Sequence, residues 1–117
     1  MTLILYGIPN CDTVKKARDW LAANGIAYTF HNYKTDGIDA ARLKTWSGLI
    51  GWDKVLNRAS TTFKELPPEA KENLDETRAI TLMIAQPSMI KRPIFEKNGK
   101  VTAGFKPQSP ELQAIIS

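Results

Sequence analysis

The chain offers few residues for redox or metal chemistry: one cysteine, Cys11, and one histidine, His31, in 117 residues. A single cysteine forms no internal disulfide, which suits a reducing compartment, and any redox cycle through it needs a second thiol from outside. One histidine and one cysteine make no metal site, so no metal is expected. There is no phosphate-binding P-loop and no G-x-G-x-x-G, so nucleotide binding has no support. Basic residues cluster no more densely than Lys15-Lys16 or Lys91-Arg92, so nucleic acid is not an expected partner. No run nears the ~20 apolar residues of a membrane span. The N-terminus MTLILYGIPNC lacks the basic start and long apolar stretch of a signal peptide. Together these absences predict a cytoplasmic protein that does not associate with membranes.

What is present fits a globular domain. Hydrophobic residues make up 43% of the chain and charged residues 24%, with a net charge of +4. The length is that of one domain, taken as residues 1–117. The slight cationic excess favours small anions or acidic partners. No obvious apolar helix face is left over, which points to a monomer.

The apolar run Leu3–Tyr6 ends at Gly7 and Pro9 and reads as a buried strand. Asp12 or Thr13 can cap a following helix, whose stripe is Val14, Ala17, Trp20 and Leu21. Asn24-Gly25 supplies a left-handed stop. Ile26, Tyr28 and Phe30 alternate with Ala27, Thr29 and His31, so a second strand follows, parallel to the first. His31 reads as a structural or surface residue on the opposite side from Tyr28 and Phe30.

From about residue 38 to 86 the pattern is helical, with breaks expected at Gly48, Gly51 and Pro67-Pro68. Leu43, Trp46, Ile50, Trp52, Val55 and Leu56 are its apolar contacts. Asp75 caps a helix that turns Ala79, Ile80, Met83 and Ile84 inward, and Pro87 ends it. Beyond it, Ile94-Phe95 and Val101 flank Asn98-Gly99, a strong hairpin signal. Ser109-Pro110 opens a last helix with Leu112, Ile115 and Ile116 inward. The expected fold is therefore α/β, in the order β-α-β, a helical insertion, then β-β-α.

On residue type alone, a lone cysteine is a small core hydrophobe. Position argues otherwise for Cys11, which falls between a strand end and a helix N-terminus. Unpaired amides and a partial positive charge there favour a thiolate over a thiol. Lys15, one turn on, adds positive charge. Val14 stands where a dithiol motif would carry its second cysteine, so the site is monothiol. Pro93 in Lys91-Arg92-Pro93 is the candidate for the cis-proline that faces the nucleophile in thioredoxin-like folds, with Arg92 near Cys11. Arg58, taken alone, reads as a surface charge.

The stretch from Leu5 to Arg18 resembles the ArsC/Spx family, and most closely its YffB-like branch. Leu56-Asn57-Arg58, Thr61–Lys64, Lys91–Ile94 and Gly104–Pro107 match in order over nearly the whole chain. The resemblance implies a thioredoxin-like fold interrupted by a helical insertion. It implies that Cys11 is the nucleophile and that Arg58, Arg92 and Lys106, together with Asn10, Thr13 and Lys15 beside the cysteine, bind the anion or substrate. Arsenate reductases of the family carry a histidine four residues before the cysteine and an arginine four after it, where this chain has Gly7 and Lys15. They also carry arginine where this chain has Lys106. The resemblance thus implies a monothiol oxidoreductase of the glutathione-dependent thiol reductase kind. Glutathione would be co-substrate, glutaredoxin a possible partner, and no cofactor tightly bound. The alternatives are an arsenate reductase working with glutathione and glutaredoxin, and a Spx-like regulator that binds the RNA polymerase α subunit.

Overall fold

Branched and aromatic residues at the start of the chain build a strand in which four of five residues are buried: β1, Leu3–Gly7. The computed structural model describes residues 2–116. It divides into two compact units, residues 1–37 with 92–117, and Ile38–Lys91.

In the first unit, helix α1 (Asp12–Ala23) follows β1, and β2 (Tyr28–Asn32) follows α1. The hairpin β3 (Ile94–Lys97) and β4 (Lys100–Ala103) precedes the last helix of the chain, Pro110–Ile116. The sheet order is β2-β1-β3-β4. β1 runs parallel to β2, with Tyr6 opposite His31, and antiparallel to β3, with Tyr6 opposite Ile94. This is the β-α-β … β-β-α arrangement of a thioredoxin-like fold. The hairpin turns at Asn98 (φ 53°) and Gly99 (φ 76°). Two successive left-handed residues match the twist of the flanking strands, which explains the Asn-Gly pair.

One face of this sheet is dry. Leu3, Leu5 and Phe95 pack with Ala17 and Leu21 of α1 and with Leu112 and Ile115 of the last helix. Burying each large side chain of this kind contributes about 1.5–3 kcal/mol. The opposite face carries Tyr6, whose hydroxyl donates to Glu96 Oε1 at 2.7 Å. The His31 ring lies 4.8 Å from that of Tyr6, and its Nε2 donates to the Gly37 carbonyl. His31 therefore has structural partners.

The second unit is helical: α2 (Ala40–Ile50), α3 (Trp52–Val55), α4 (Thr61–Lys64), α5 (Pro68–Lys71) and α6 (Glu76–Ala85), then a 3₁₀ turn at Pro87–Met89. By chain order the last helix, Pro110–Ile116, is α7. Three of this second unit's helix starts are capped by side chains, as short polar residues before a helix should do. Asp39 accepts from Arg42 N–H, Ser60 from Phe63 N–H and Asp75 from Arg78 N–H. Leu43, Trp46, Val55, Leu56, Ala79, Met83, Met89 and Ile90 are buried. An isolated bridge between Leu56 and Ile90 closes this unit.

Four local expectations need correction. Neither Asp12 nor Thr13 caps α1, because the helix begins one residue earlier and Cys11 is itself the N-cap. Gly48 does not break α2, which runs through it to Gly51. Gly51 stops the helix because its φ is 96°, a left-handed value that glycine adopts without steric cost. Ile26 lies before β2 rather than in it, its amide donating to Leu21 O. Ile84 is 40% exposed instead of inward; it is one residue past Met83, the buried position on that turn.

Candidate active site

The register fixes what meets at one end of the sheet. The carboxyl ends of β1 and β2 lie side by side at Gly7 and Asn32. β3 begins at that same end, since Ile94 pairs with Tyr6, and β4 finishes there, since Ala103 pairs with Ile94. Four connections thus emerge together: the loop holding Cys11, the turn after β2 with Tyr33, the Arg92-Pro93 approach to β3, and the segment from Gly104 to Lys106. Two hydrogen bonds tie them. Tyr33 N–H donates to Gly7 O at 3.0 Å, and Gly104 N–H donates to Pro93 O at 2.8 Å.

Cys11 is partly buried. The loop before it is a tight turn, with Cys11 N–H donating to Ile8 O at 3.3 Å. Proline suits the second place of such a turn because its φ is preset, and asparagine suits the third. Cys11 is extended (φ −99°, ψ 126°) and its carbonyl accepts Lys15 N–H at 2.9 Å. Its sulfur makes no capping hydrogen bond. The residue therefore starts a twelve-residue helix without using the donors of the first turn, the position where a helix attracts negative charge.

Gly7 and Val14 are packed directly on one another. A Cβ built on Gly7 would lie 2.7 Å from Val14 Cγ2 and 3.3 Å from Cγ1. The first turn of α1 sits so close to the end of β1 that position 7 has no room for a side chain.

Of the other residues named from sequence, Asn10, Thr13 and Lys15 are exposed around Cys11. Arg92 is half-buried, Pro93 is buried, and the peptide bond between them is cis. Lys106 is exposed. Arg58 belongs to the second unit, where its guanidinium carbon lies 5.5 Å from the centre of the Trp52 ring. The structure thus brings Cys11, Asn10, Thr13, Lys15, Arg92, Pro93 and Lys106 to one end of the sheet in the first unit. Among the described residues no group of three or more His, Cys, Asp or Glu side chains could hold a metal ion, and no helix is long and apolar enough to cross a membrane.

Tyr33 was not singled out from sequence. Burial holds its phenol well above the ordinary value; nearby Tyr6 adds to this and the Arg92 guanidinium opposes it. The two rings stack 6.3 Å apart. A tyrosine one residue past a strand gives little sign in sequence of such burial. Arg18 was also passed over. Its Nε donates to Tyr28 Oη at 3.1 Å, and its guanidinium lies 4.4 Å from the centre of the Phe30 ring. The spacing Cys11, Lys15, Arg18, which puts all three on one helix face, was the available signal.

The sequence profile described as the ArsC family matches residues 6–111. The chain belongs to the ArsC family. Its fold is similar to the solved structure of a YffB protein, with a TM-score of 0.92 and 52% identity over 99% of this chain and 100% of that one. An uncharacterized protein of Haemophilus influenzae is 43% identical over 98% of this chain and 99% of its own length. The regulatory protein MgsR of Bacillus subtilis is 29% identical over 90% of this ArsC-family chain and 84% of its own length.

Proposed function

We propose that this ArsC-family chain is a monothiol oxidoreductase that uses the Cys11 thiolate as nucleophile and glutathione as co-substrate. One observation carries the reading: the only cysteine is the N-cap of α1 and leaves the first-turn donors unused by its own side chain. A helix N-terminus is a position that favours negative charge.

The chemistry is thiol–disulfide exchange. Cys11 S⁻ attacks the glutathione sulfur of a mixed disulfide R–S–S–G, forming Cys11–S–S–G and releasing R–S⁻. A second glutathione thiolate attacks the glutathione sulfur of that adduct, either directly or after a glutaredoxin thiolate has taken the glutathione over as its own mixed disulfide. Cys11 S⁻ is regenerated and glutathione disulfide leaves. No resolving cysteine in the chain is required. Arg92 and Lys106 supply cations for the glycine carboxylate of glutathione. The arsenate reading is weaker because Val14 packs where a histidine at position 7 would begin.

The test is intact-mass analysis after exposure to glutathione disulfide. One glutathione per chain on Cys11, absent from Cys11→Ser and removed by glutaredoxin with glutathione, supports the reading. Absence of an adduct on the native protein ends it. A second reading, a regulatory binding role, draws on the similarity to MgsR. Retention of the RNA polymerase α subunit by Cys11→Ser, in a protein that forms no glutathione adduct, would favour it.

A further inference from the structure

The face of α1 that continues from Cys11 does not run into the core. Cys11, Lys15, Arg18 and Ala22 recur at helical spacing on one side. Lys15, Arg18 and Ala22, with Asp19, Pro9 and Tyr28, line a cleft of about 260 Å³. Pro9 belongs to the tight turn that carries Cys11, so the cleft begins beside the nucleophile and runs along the helix. All its walls belong to the first unit.

Its charges are ordered. Arg18 is anchored twice, by its Nε bond to Tyr28 Oη and by its position over Phe30. A guanidinium held this way has lost much of its side-chain entropy before any ligand arrives. Lys15 adds a second cation and Asp19 a carboxylate. Two cations and one anion lining one cleft complement a zwitterion: an α-carboxylate beside an α-ammonium. A purely anionic ligand would gain nothing from Asp19, and an apolar one would strand all three charges.

Distance agrees with this. From Cys11 to Arg18 is seven residues, about 10 Å along the axis at the helical rise of 1.5 Å per residue. An extended two-residue arm spans about 7 Å at the usual backbone rise, and a γ-linkage lengthens it. A thiol whose cysteine carries a γ-linked amino acid therefore has the reach to place sulfur at Cys11 and its amino-acid head in the cleft.

We propose that the cleft of Lys15, Arg18, Asp19 and Tyr28 is the subsite for the zwitterionic amino-acid head of the thiol that exchanges at Cys11, making Arg18 and Asp19 specificity-determining residues. This rests on the thiol–disulfide reading above. It assigns the α-carboxylate to Arg18 and Lys15 and the ammonium to Asp19. No bond of the exchange itself involves these groups.

The experiment compares two disulfides on the full chain: glutathione disulfide, and bis(2-hydroxyethyl) disulfide, which lacks both charged groups. Adduct formation on Cys11 is followed by mass for the wild type, Arg18→Ala and Asp19→Ala. Losing one charge-assisted contact should slow reaction with glutathione disulfide by about tenfold in each variant, while reaction with the uncharged disulfide stays at the wild-type rate. Asp19 is exposed, so its variant remains informative if Arg18→Ala folds poorly. Wild-type rates on glutathione disulfide in Asp19→Ala and in folded Arg18→Ala would overturn the subsite alone. Equal slowing on both disulfides would also overturn it, by showing an effect on Cys11 rather than on recognition. If the wild type reacts only with the uncharged disulfide, the glutathione reading itself falls and the subsite with it.

Discussion

Replacing Gly7 by alanine tests how tightly the first turn of α1 is seated on β1. The new Cβ would meet Val14 Cγ2 at 2.7 Å and Cγ1 at 3.3 Å, with Val14 Cβ at 3.6 Å. Only the last is an ordinary contact. Valine in a helix has one strongly preferred rotamer, so it cannot swing its methyls away, and either α1 or the end of β1 must shift. Overpacking of this kind costs about 1–3 kcal/mol. The alanine returns about 0.4–1 kcal/mol by restricting the unfolded chain, because Gly7 is not in the left-handed region. At mid-range the net loss is about 1.3 kcal/mol, which for a chain of 117 residues lowers Tm by roughly 5 °C. In a Val14→Ala background both short contacts disappear. There Gly7→Ala should be neutral or slightly stabilising, giving a coupling of about 1.5 kcal/mol or more in a double-mutant cycle. Thermal and urea unfolding of the four proteins measures it. Equal effects of Gly7→Ala in both backgrounds would refute the packing argument, and with it the reason offered for the absence of a side chain at position 7.

Other outcomes follow from named groups. Tyr33 is buried with its phenol held well above the ordinary value. Its folded pKa is therefore the higher one, and its contribution is fully present below the unfolded value of ~10. Above pH 10 the unfolded chain gives up a proton that the folded chain retains, so stability falls as pH rises. Tyr33→Phe should flatten that alkaline loss in urea titrations between about pH 9.5 and 11, and an unchanged slope would show that Tyr33 is not its source. Asp75→Ala removes the cap on α6, where Oδ1 accepts from Arg78 N–H at 2.8 Å; a loss of about 1 kcal/mol by urea unfolding is expected, and no loss would show the cap to be redundant.

Most of the fold was legible because its signals are local. Alternation, the Asn98-Gly99 pair and the Asp75 cap each act within a few residues, and β-α-β leaves few topologies. The misreadings came where a local rule met a competing local fact. Polar residues at 12 and 13 looked like caps, but the loop closes through Cys11 N–H and Ile8 O, which sets the helix start one residue earlier. Gly48 looked like a stop, yet a glycine in a helix costs only about 1 kcal/mol against alanine, and the termination falls at Gly51, where φ is positive. At the site, Cys11 and Pro93 could be named from position in the chain. Arg18 could have been, from its helical spacing with Cys11 and Lys15; Tyr33 and the Gly7–Val14 contact could not, because each depends on register and packing that no spacing rule encodes.

We propose Cys11 as an accessible nucleophile that exchanges with glutathione and needs no second cysteine. The most direct measurement is peptide mapping by mass spectrometry after the native protein meets glutathione disulfide. One glutathione on Cys11, formed in the folded state and removed by glutaredoxin with glutathione, is the predicted result. A native protein that stays unmodified, with Cys11 reacting only after unfolding, would contradict it and return the residue to the core.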